Sequence, residues 1–508
     1  MNAPVASKDL SVSPLTGDGF ALPHETGDRE RVDRFLDANA GRPVVVVQGL
    51  GFVGAVMSLV CANAIDGDYA VIGVDLPTRA SYWKIESINA GRFPVVASDR
   101  KIEAFYRDAM RKGNLLATFD PYAYSKADVI VVDVNLDVRK ISRDGCDLVD
   151  FDVDLSAFRA AVTAIGEHCR EDVLILVETT VPPGTCDRIV RPLIARCLRE
   201  RGLATDRFRL GHSYERVMPG PDYIDSIQSF YRVYSGVDDA SADATERFLR
   251  TIVRTDEYPL TRLGGTTATE MAKVLENSYR AANIAFMVEW SRFAEDAGVN
   301  LYEVVQAIRM RPTHRNMMLP GIGVGGYCLT KDPLLASWAR RSLFGSPEGL
   351  EQSVQGVRIN DRMPVFAYEF LRRWIGDRHV APLRVLLLGV SYRSDVGDTR
   401  FSPVEGFYRC LVRDGCRVAL HDYFVPFWEE TGQPVAQDLD GVLEDDHDVI
   451  AITTAHSAYR DVDGLVERLL RLRRATRVLD TLGLLTASEI ERLSRLHAVK
   501  VVGRGDLA

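Results

Sequence analysis

The 508-residue sequence has no apolar run long enough to span a bilayer, no Cys-x-x-Cys pair and no surplus of positive charge. The first absence excludes a membrane-spanning helix. The second concerns Cys61, Cys146, Cys169, Cys186, Cys197, Cys328, Cys410 and Cys416, eight scattered cysteines whose spacing with histidine matches no zinc site. No metal is therefore expected, and reduced, mostly buried thiols are. The third absence is a matter of count. Lys and Arg number 62 against 71 Asp and Glu, a formal net charge of -9, which argues against nucleic acid or an anionic membrane as the main partner. A small anionic substrate stays compatible, because a basic pocket can sit in an acidic whole. The first forty residues also lack the apolar core of a secretory leader. They are expected to form a polar, partly disordered arm over residues 1–41, ending in a short helix, and the protein is expected in the cytoplasm.

What the sequence does have begins at Arg42. "RPVVVVQGLGFVG", "YAVIGVD", "ADVIVVDV" and "DVLILVETT" are short apolar strands separated by helical patterns, as in a parallel sheet covered on both faces. Residues 42–235 are predicted to be a doubly wound α/β domain. Residues 236–379 are predicted to be a helical middle. In it, 264–298 contain no proline and no internal glycine, Thr267 and Glu270 have capping-box spacing, and Gly298 is a natural stop. The helix would be roughly 45 Å long, a spine that could also supply a dimer surface. From 380 to 508 the alternation resumes with five strands, "LRVLLLGV", "CRVALHDYF", "DVIAITTA", "TRVLDT" and "AVKVVG". The fold class is thus α/β, two Rossmann-like doubly wound domains joined by a long central helix.

Three groups of residues carry chemistry. In "QGLGFVG", Gly49 permits a tight turn, Gly51 lets a pyrophosphate approach and Gly54 packs the helix, with Phe52 and Val53 at the helix start. Asp75 closes the next strand, where it would bind the adenosine ribose and repel a 2'-phosphate; Arg79 lies nearby. NAD is the cofactor this pattern implies. In "PGIGVGGYCLTKDP", glycines surround Cys328, and Lys331 and Asp332 follow within a turn. A cation near a thiol favours the thiolate, and a nucleophilic cysteine serving NAD suggests aldehyde oxidation through a thiohemiacetal and thioester. On the predicted spine, Lys273 and Asn277 are four residues apart and share a face. Two other patterns carry none. "DFDVD" (Asp150, Asp152, Asp154) lacks the glycine and closing glutamate of a calcium loop and is read as a solvated turn, and "ERLLRLRRATR" is read as a solvent-facing helix.

Six separated motifs, "GLGFVG", "ETTVPPGT", "SYERVMPG", "EMAKVLENSYRAANIAF", "GVGGYCLTKDP" and "GVSYRSDVGDTRFSP", occur in the order of one family. From about Pro43 to near its C-terminus, the chain resembles the UDP-glucose/GDP-mannose dehydrogenases, nucleotide-sugar 6-dehydrogenases. The resemblance implies oxidation of a sugar C6 alcohol to a carboxylate, with two NAD reduced per UDP-sugar. Carried over by motif, Cys328 is the nucleophile, Lys273 and Asn277 stabilise an oxyanion, and Asp332 helps activate the hydrolytic water. Thr180 holds an active-site water beside the cofactor. Glu215 has acid/base and water-positioning roles beside the substrate. Gly325, Lys331 and Arg393 contact the nucleotide-sugar, together with Lys273 and Asn277, and Arg400 reaches the cofactor. The resemblance also implies a homodimer or larger oligomer. The chain departs from the pattern at "VNLDV" (Val134–Val138), where many relatives have Thr-Pro, and at Tyr327, where N-acetylhexosamine enzymes often have histidine. Two other readings stay open on the residues alone, a single-step NAD-dependent alcohol or hydroxyacid dehydrogenase and a non-catalytic dinucleotide-sensing module.

Overall fold

A computed structural model describes residues 10–23, 27–95, 99–143, 146–214, 216, 220, 222–376, 383–461 and 464–507. They form two compact units. The first takes the chain to Asp137, Val153–Val274 and Ser342–Phe344; the second takes Val138–Asp152, Leu275–Arg341 and everything from Gly345.

The chain opens with an antiparallel pair, β1 (Leu10–Val12) and β2 (Gly19–Ala21), followed by α1 (Arg29–Ala38). Where it is described, the arm is therefore folded. The buried hydroxyl of Ser11 accepts from the Trp83 amide at 2.9 Å and donates to the Arg79 carbonyl at 2.7 Å, an anchor that composition could not reveal. The Rossmann-like core follows as β3 (Val44–Gln48), α2 (Phe52–Ala62), β4 (Ala70–Val74), α3 (Tyr82–Asn89), α4 (Arg100–Lys112), β5 (Leu115–Thr118) and β6 (Val129–Val132). A hairpin, β7 (Asp137–Arg143) and β8 (Asp147–Asp154), interrupts it. The core then resumes with α5 (Ser156–His168), β9 (Leu174–Val177), α6 (Arg191–Glu200), β10 (Arg209–His212), α7 (Tyr223–Gln228), β11 (Val233–Gly236), α8 (Asp239–Ile252) and β12 (Thr261–Arg262).

Eight strands lie in the order β12-β11-β10-β9-β6-β3-β4-β5. All pairs are parallel except β10 with β11. Val45, Val46 and Val47 are fully buried, as expected for strands covered on both faces. The first unit runs beyond residue 235 because β12 extends the sheet beside β11 and α8 packs on β10 and β11.

Val138–Asp152 of the β7–β8 hairpin belong to the second unit, where Leu148 and Phe151 pack with Leu334 and Val357. Asp150, Asp152 and Asp154 are thus the exposed face of a strand, not a turn. Helix α9 (Thr266–Ala297) begins in the first unit and passes into the second between Val274 and Leu275. Its 32 residues stop at Gly298, whose φ of 68° ends the helix as expected. Leu275 is exposed. It joins an exposed apolar row with Met271, Tyr279, Phe286, Trp290 and Phe293. After α10 (Leu301–Arg309), α11 (Asp332–Ser342) and α12 (Glu351–Ile375) come the five strands expected, β13 (Arg384–Leu388), β14 (Arg417–His421), β17 (Val449–Ile452), β18 (Arg477–Asp480) and β19 (Ala498–Val501). Between them lie α13 (Pro403–Arg413), the short pair β15 (Phe427–Trp428) and β16 (Gln433–Pro434), α14 (Leu439–Leu443), α15 (Leu465–Leu470) and α16 (Ala487–Leu493). The sheet is parallel throughout, in the order β14-β13-β17-β18-β19. Among the described residues, no helix is long and apolar enough to cross a membrane.

Candidate active site

The three fingerprint glycines have three different reasons to be glycine. Gly49 turns the chain out of β3 at φ 96°, and a Cβ there would lie 2.6 Å from the Asp133 carbonyl. A Cβ on Gly54 would lie 1.9 Å from the Gly49 carbonyl, so only glycine lets α2 pack this close to the turn. Gly51 differs, with nothing within 4 Å of its missing Cβ. It is the N-cap of α2, where the first amides have no acceptor within the helix and the dipole favours an anion. Phe52 exposes its side chain, while its carbonyl accepts from the Tyr223 hydroxyl at 2.7 Å; Val53 is half-buried.

Asp75, just past β4, accepts from the Leu50 amide at 3.1 Å and the Leu76 amide at 2.7 Å, with the Lys84 ammonium 3.5 Å away. The carboxylate is therefore fixed at the strand end where an adenosine ribose would bind. Arg79 is exposed. An open glycine, a helix N-terminus and an anchored acid fit NAD.

In the same unit, the β9, β10 and β11 ends and the start of α9 form a buried polar group. Thr180 is half-buried three residues past β9, and the neighbouring Thr179 hydroxyl donates to the Val134 carbonyl at 2.9 Å. Lys273 is only 8 % exposed, its ammonium 5.2 Å from the centre of the Tyr214 ring. His212 Nδ1 bonds Thr269 Oγ1 at 2.8 Å. Burial, with the charges of Lys273 and Arg232, pushes its pKa down to about 3. Glu178 and Arg232 form a fully buried, hydrogen-bonded ion pair.

Glu270 does not close a capping box. Its carboxylate accepts from the Gly184 and Cys186 amides at 2.6 and 2.8 Å, and the Thr266 and Thr267 hydroxyls donate to Asp187. Buried at the helix start, the acid meets the unpaired amides of the "VPPGTC" loop before it can reach its own N-terminus. Burial raises its pKa, against those two amides, to about 7.

In the second unit, Cys328 is the one exposed cysteine; Cys146 is half-buried and the other six are buried. Its carbonyl accepts from the Lys331 and Asp332 amides at 3.2 and 2.9 Å, which starts α11. Asp332 is fully buried, accepts from Asn277 Nδ2 at 2.6 Å and has the Lys331 ammonium 3.3 Å from its other oxygen. That ammonium also lies 4.5 Å from the centre of the Tyr327 ring. Four expected residues, Cys328, Lys331, Asp332 and Asn277, are thus brought together.

The glycines before Cys328 are explained by packing. A Cβ on Gly325 would meet Tyr392 at 2.5 Å and the Phe401 carbonyl at 2.8 Å, and Gly326, at φ 79°, lies against the Tyr392 ring. The Gly326 amide donates to the Arg400 carbonyl at 3.3 Å. The Arg400 guanidinium is held by Asp398, with contacts of 2.9 and 2.6 Å, so Arg400 neighbours the cysteine loop in this unit. Arg393 is exposed. Glu215 lies outside the described residues.

The residues that sequence reasoning missed are Glu270, His212, Tyr214 and Tyr392. Glu270 carried a visible signal, a glutamate three residues before Lys273 on an otherwise neutral helical turn. The others had none, because their partners are far away in the chain.

Known proteins resemble the chain over most of its length. Residues 44–253, 267–360 and 386–487 match the NAD-binding, central and UDP-binding domains of the UDP-glucose/GDP-mannose dehydrogenase family. The UDP-N-acetyl-D-mannosamine dehydrogenase of Pyrococcus horikoshii is 28% identical over 424 residues, 82% of this chain and 91% of that protein. An NDP-N-acetyl-D-galactosaminuronic acid dehydrogenase of Ralstonia nicotianae is 27% identical over 392 residues, 75% and 82% of the two chains. A solved UDP-D-ManNAc dehydrogenase from Pyrococcus horikoshii superposes with a TM-score of 0.74 at 26% identity, covering 91% of this chain and all of that one. With three family domains in order across most of its length, the chain belongs to the UDP-glucose/GDP-mannose dehydrogenase family of NAD-dependent oxidoreductases.

Proposed function

We propose that the protein oxidises the C6 hydroxymethyl of a UDP-sugar to the uronic acid, a four-electron reaction that passes through a thioester on Cys328. The observation that carries this reading is the exposed Cys328 at the start of α11, beside the buried Asp332 with its Asn277 and Lys331 partners. The names of the relatives favour a UDP-N-acetylhexosamine over UDP-glucose as substrate.

Bound NAD supplies a hydride acceptor for each of two oxidations. The protein's own residues do the rest. Removal of hydride from C6, with loss of the hydroxyl proton, gives the aldehyde. The Cys328 sulfur then adds to the carbonyl carbon, and Lys273 and Asn277 stabilise the oxygen that gains charge. Loss of the second hydride converts the thiohemiacetal to a thioester, so no free aldehyde leaves. Water adds to the thioester, the carbon–sulfur bond breaks, and the carboxylate departs while the thiol is restored. Asp332, with Thr180 and Glu215, serves the water step. Lys331, Arg393 and the glycine loop at Gly325 meet the nucleotide-sugar, and Arg400 serves the cofactor.

Counting reduced cofactor per sugar tests the scheme. Two NADH are expected, and a ratio of one would sink it. Cys328→Ser is expected to lower acid formation by on the order of 10³-fold or more, and undiminished acid from that variant would remove the covalent step. The exposed row on α9 supports a homodimer. Trp290→Glu should halve the mass seen by light scattering, and an unchanged mass would place the contact elsewhere.

A further inference from the structure

A cavity of about 390 Å³ in the second unit is lined by Arg143 of β7, Arg292 of α9, and Arg358 and Arg362 of α12, with Asp147 and Gln355. Among the described residues, four guanidiniums against one carboxylate leave the lining with a net charge of +3. Among the described residues, none of the four arginines has an ion-pair partner. Arg358 donates to the Leu148 and Val149 carbonyls at 3.0 and 3.3 Å, which leaves its charge uncompensated. Arg292 lies 4.7 Å from the centre of the Phe366 ring, and its Nε is buried with no acceptor. Burial, then the nearby charge of Arg362, outweighs the Glu369 and Glu289 carboxylates and pushes the Arg292 pKa down.

The arginine-rich run that stands out in the sequence behaves differently. Arg468 pairs with Asp440 at 2.7 Å and Arg474 with Asp448 at 3.4 Å. The pocket arginines are scattered over more than two hundred positions, and folding gathers them with Asp147 as the one acid among the described lining residues.

The wall of the cavity is fixed. Lys140 of the hairpin donates to both oxygens of Asp361 on α12, at 3.0 and 2.8 Å. A second cavity, of about 480 Å³, shares Val149, Gln355 and Arg358 with the first and adds Arg341, but Asp150 and Glu351 balance its charge, so the positive lining belongs to the first cavity. Among the described residues, none of those assigned to the oxidation lines either cavity.

We propose that this cavity is a second anion site, which binds a compact metabolite carrying two or three phosphates. Guanidinium forks match phosphate oxygens in pairs, and a lining of +3 suits a di- or triphosphate better than a single carboxylate. Among the described residues, no aromatic face lines the first cavity, so recognition needs the phosphates and not a base.

The test is calorimetric titration of the full chain with inorganic tripolyphosphate, while saturating NADH and UDP occupy the reaction site. One equivalent per chain is expected to bind. The double variant Arg143→Ser/Arg362→Ser should weaken it about tenfold or more and leave KM for the nucleotide-sugar unchanged. Failure to bind, binding that UDP abolishes, or equal binding by the double variant would each overturn the proposal. A change in assembly mass without a change in tripolyphosphate affinity would also overturn it, by assigning the arginines to a contact between copies. If the double variant does not fold, Arg362→Glu, at an exposed position, carries the same comparison alone.

Discussion

The first strands of the two Rossmann-like sheets, β3 and β13, end in turns built to one plan. Gly49 and Gly389 have φ of 96° and 95°. Their amides donate to Val74 and His421 at 2.8 and 2.7 Å. The next amide, of Leu50 or Val390, donates to an acid just past the second strand, Asp75 at 3.1 Å or Asp422 at 2.8 Å.

The turns then diverge. At Gly51 a helix begins beside open space. At the matching position, Ser391 binds Asp422 through both its amide and its hydroxyl, and His456 Nε2 lies 3.0 Å from the same carboxylate oxygen. The chain then runs to Pro403 before α13 starts. The glycine turn itself is therefore not what equips a unit for a dinucleotide. The open third position and the immediate helix are.

Filling that third position should break the comparison most. Gly51 has φ −75° and ψ −165°, so Gly51→Val can fold, yet its side chain would occupy the phosphate space. NAD affinity should fall on the order of 10³-fold with melting little changed, and retained affinity in a fluorescence titration would refute the assignment. The mirror change, Ser391→Ala, should leave NAD binding intact and cost about 1 kcal/mol.

Asp422→Asn comes next, at about 3 kcal/mol in a denaturant titration, because its partners are arranged for a carboxylate. Burial pushes that carboxyl up, but the His456 hydrogen bond and charge, with the Phe424 and Val390 amides, outweigh it and hold the pKa at about 2. The stabilisation is present above the ordinary 3.8 and is lost as pH falls through about 2.

The first unit should respond to pH differently. His212 is held to about 3 and Glu270 raised to about 7, from 6.5 and 4.5. Between about 4.5 and 6.5 the unfolded chain carries a proton on the histidine and the native chain carries one on the glutamic acid, so the two slopes cancel. His212→Asn leaves Glu270 alone, and stability should then fall by about 1.4 kcal/mol per pH unit as pH rises through that window. A flat profile from urea melts of the variant would contradict the Glu270 shift. The smallest effect is expected from Asp75→Ser. With the carboxylate gone and Lys84 beside the site, discrimination against NADP should relax about tenfold, as read from the ratio of kcat/KM values.

The strands of both sheets were legible because apolar runs and turn residues are local signals. The three fingerprint glycines were legible for the same reason. The reason for the glycines before Cys328 was not, since Tyr392 and Phe401 lie more than sixty positions downstream. Glu270 was misread because its amide partners are 84 and 86 residues away, and a capping box is the nearest explanation a linear pattern offers. The extent of the first unit was missed because β12 has only two residues, too short to leave an alternation pattern.

The cysteine inventory has a practical use. Burial pushes the Cys61, Cys169, Cys186, Cys410 and Cys416 thiols upward, and Cys146 reaches about 11 for the same reason. A chromogenic disulfide reagent added to the native protein should therefore release one prompt equivalent from Cys328, with the remainder appearing as the chain unfolds. That single reading would count competent molecules in a preparation, and its later rise would time their denaturation.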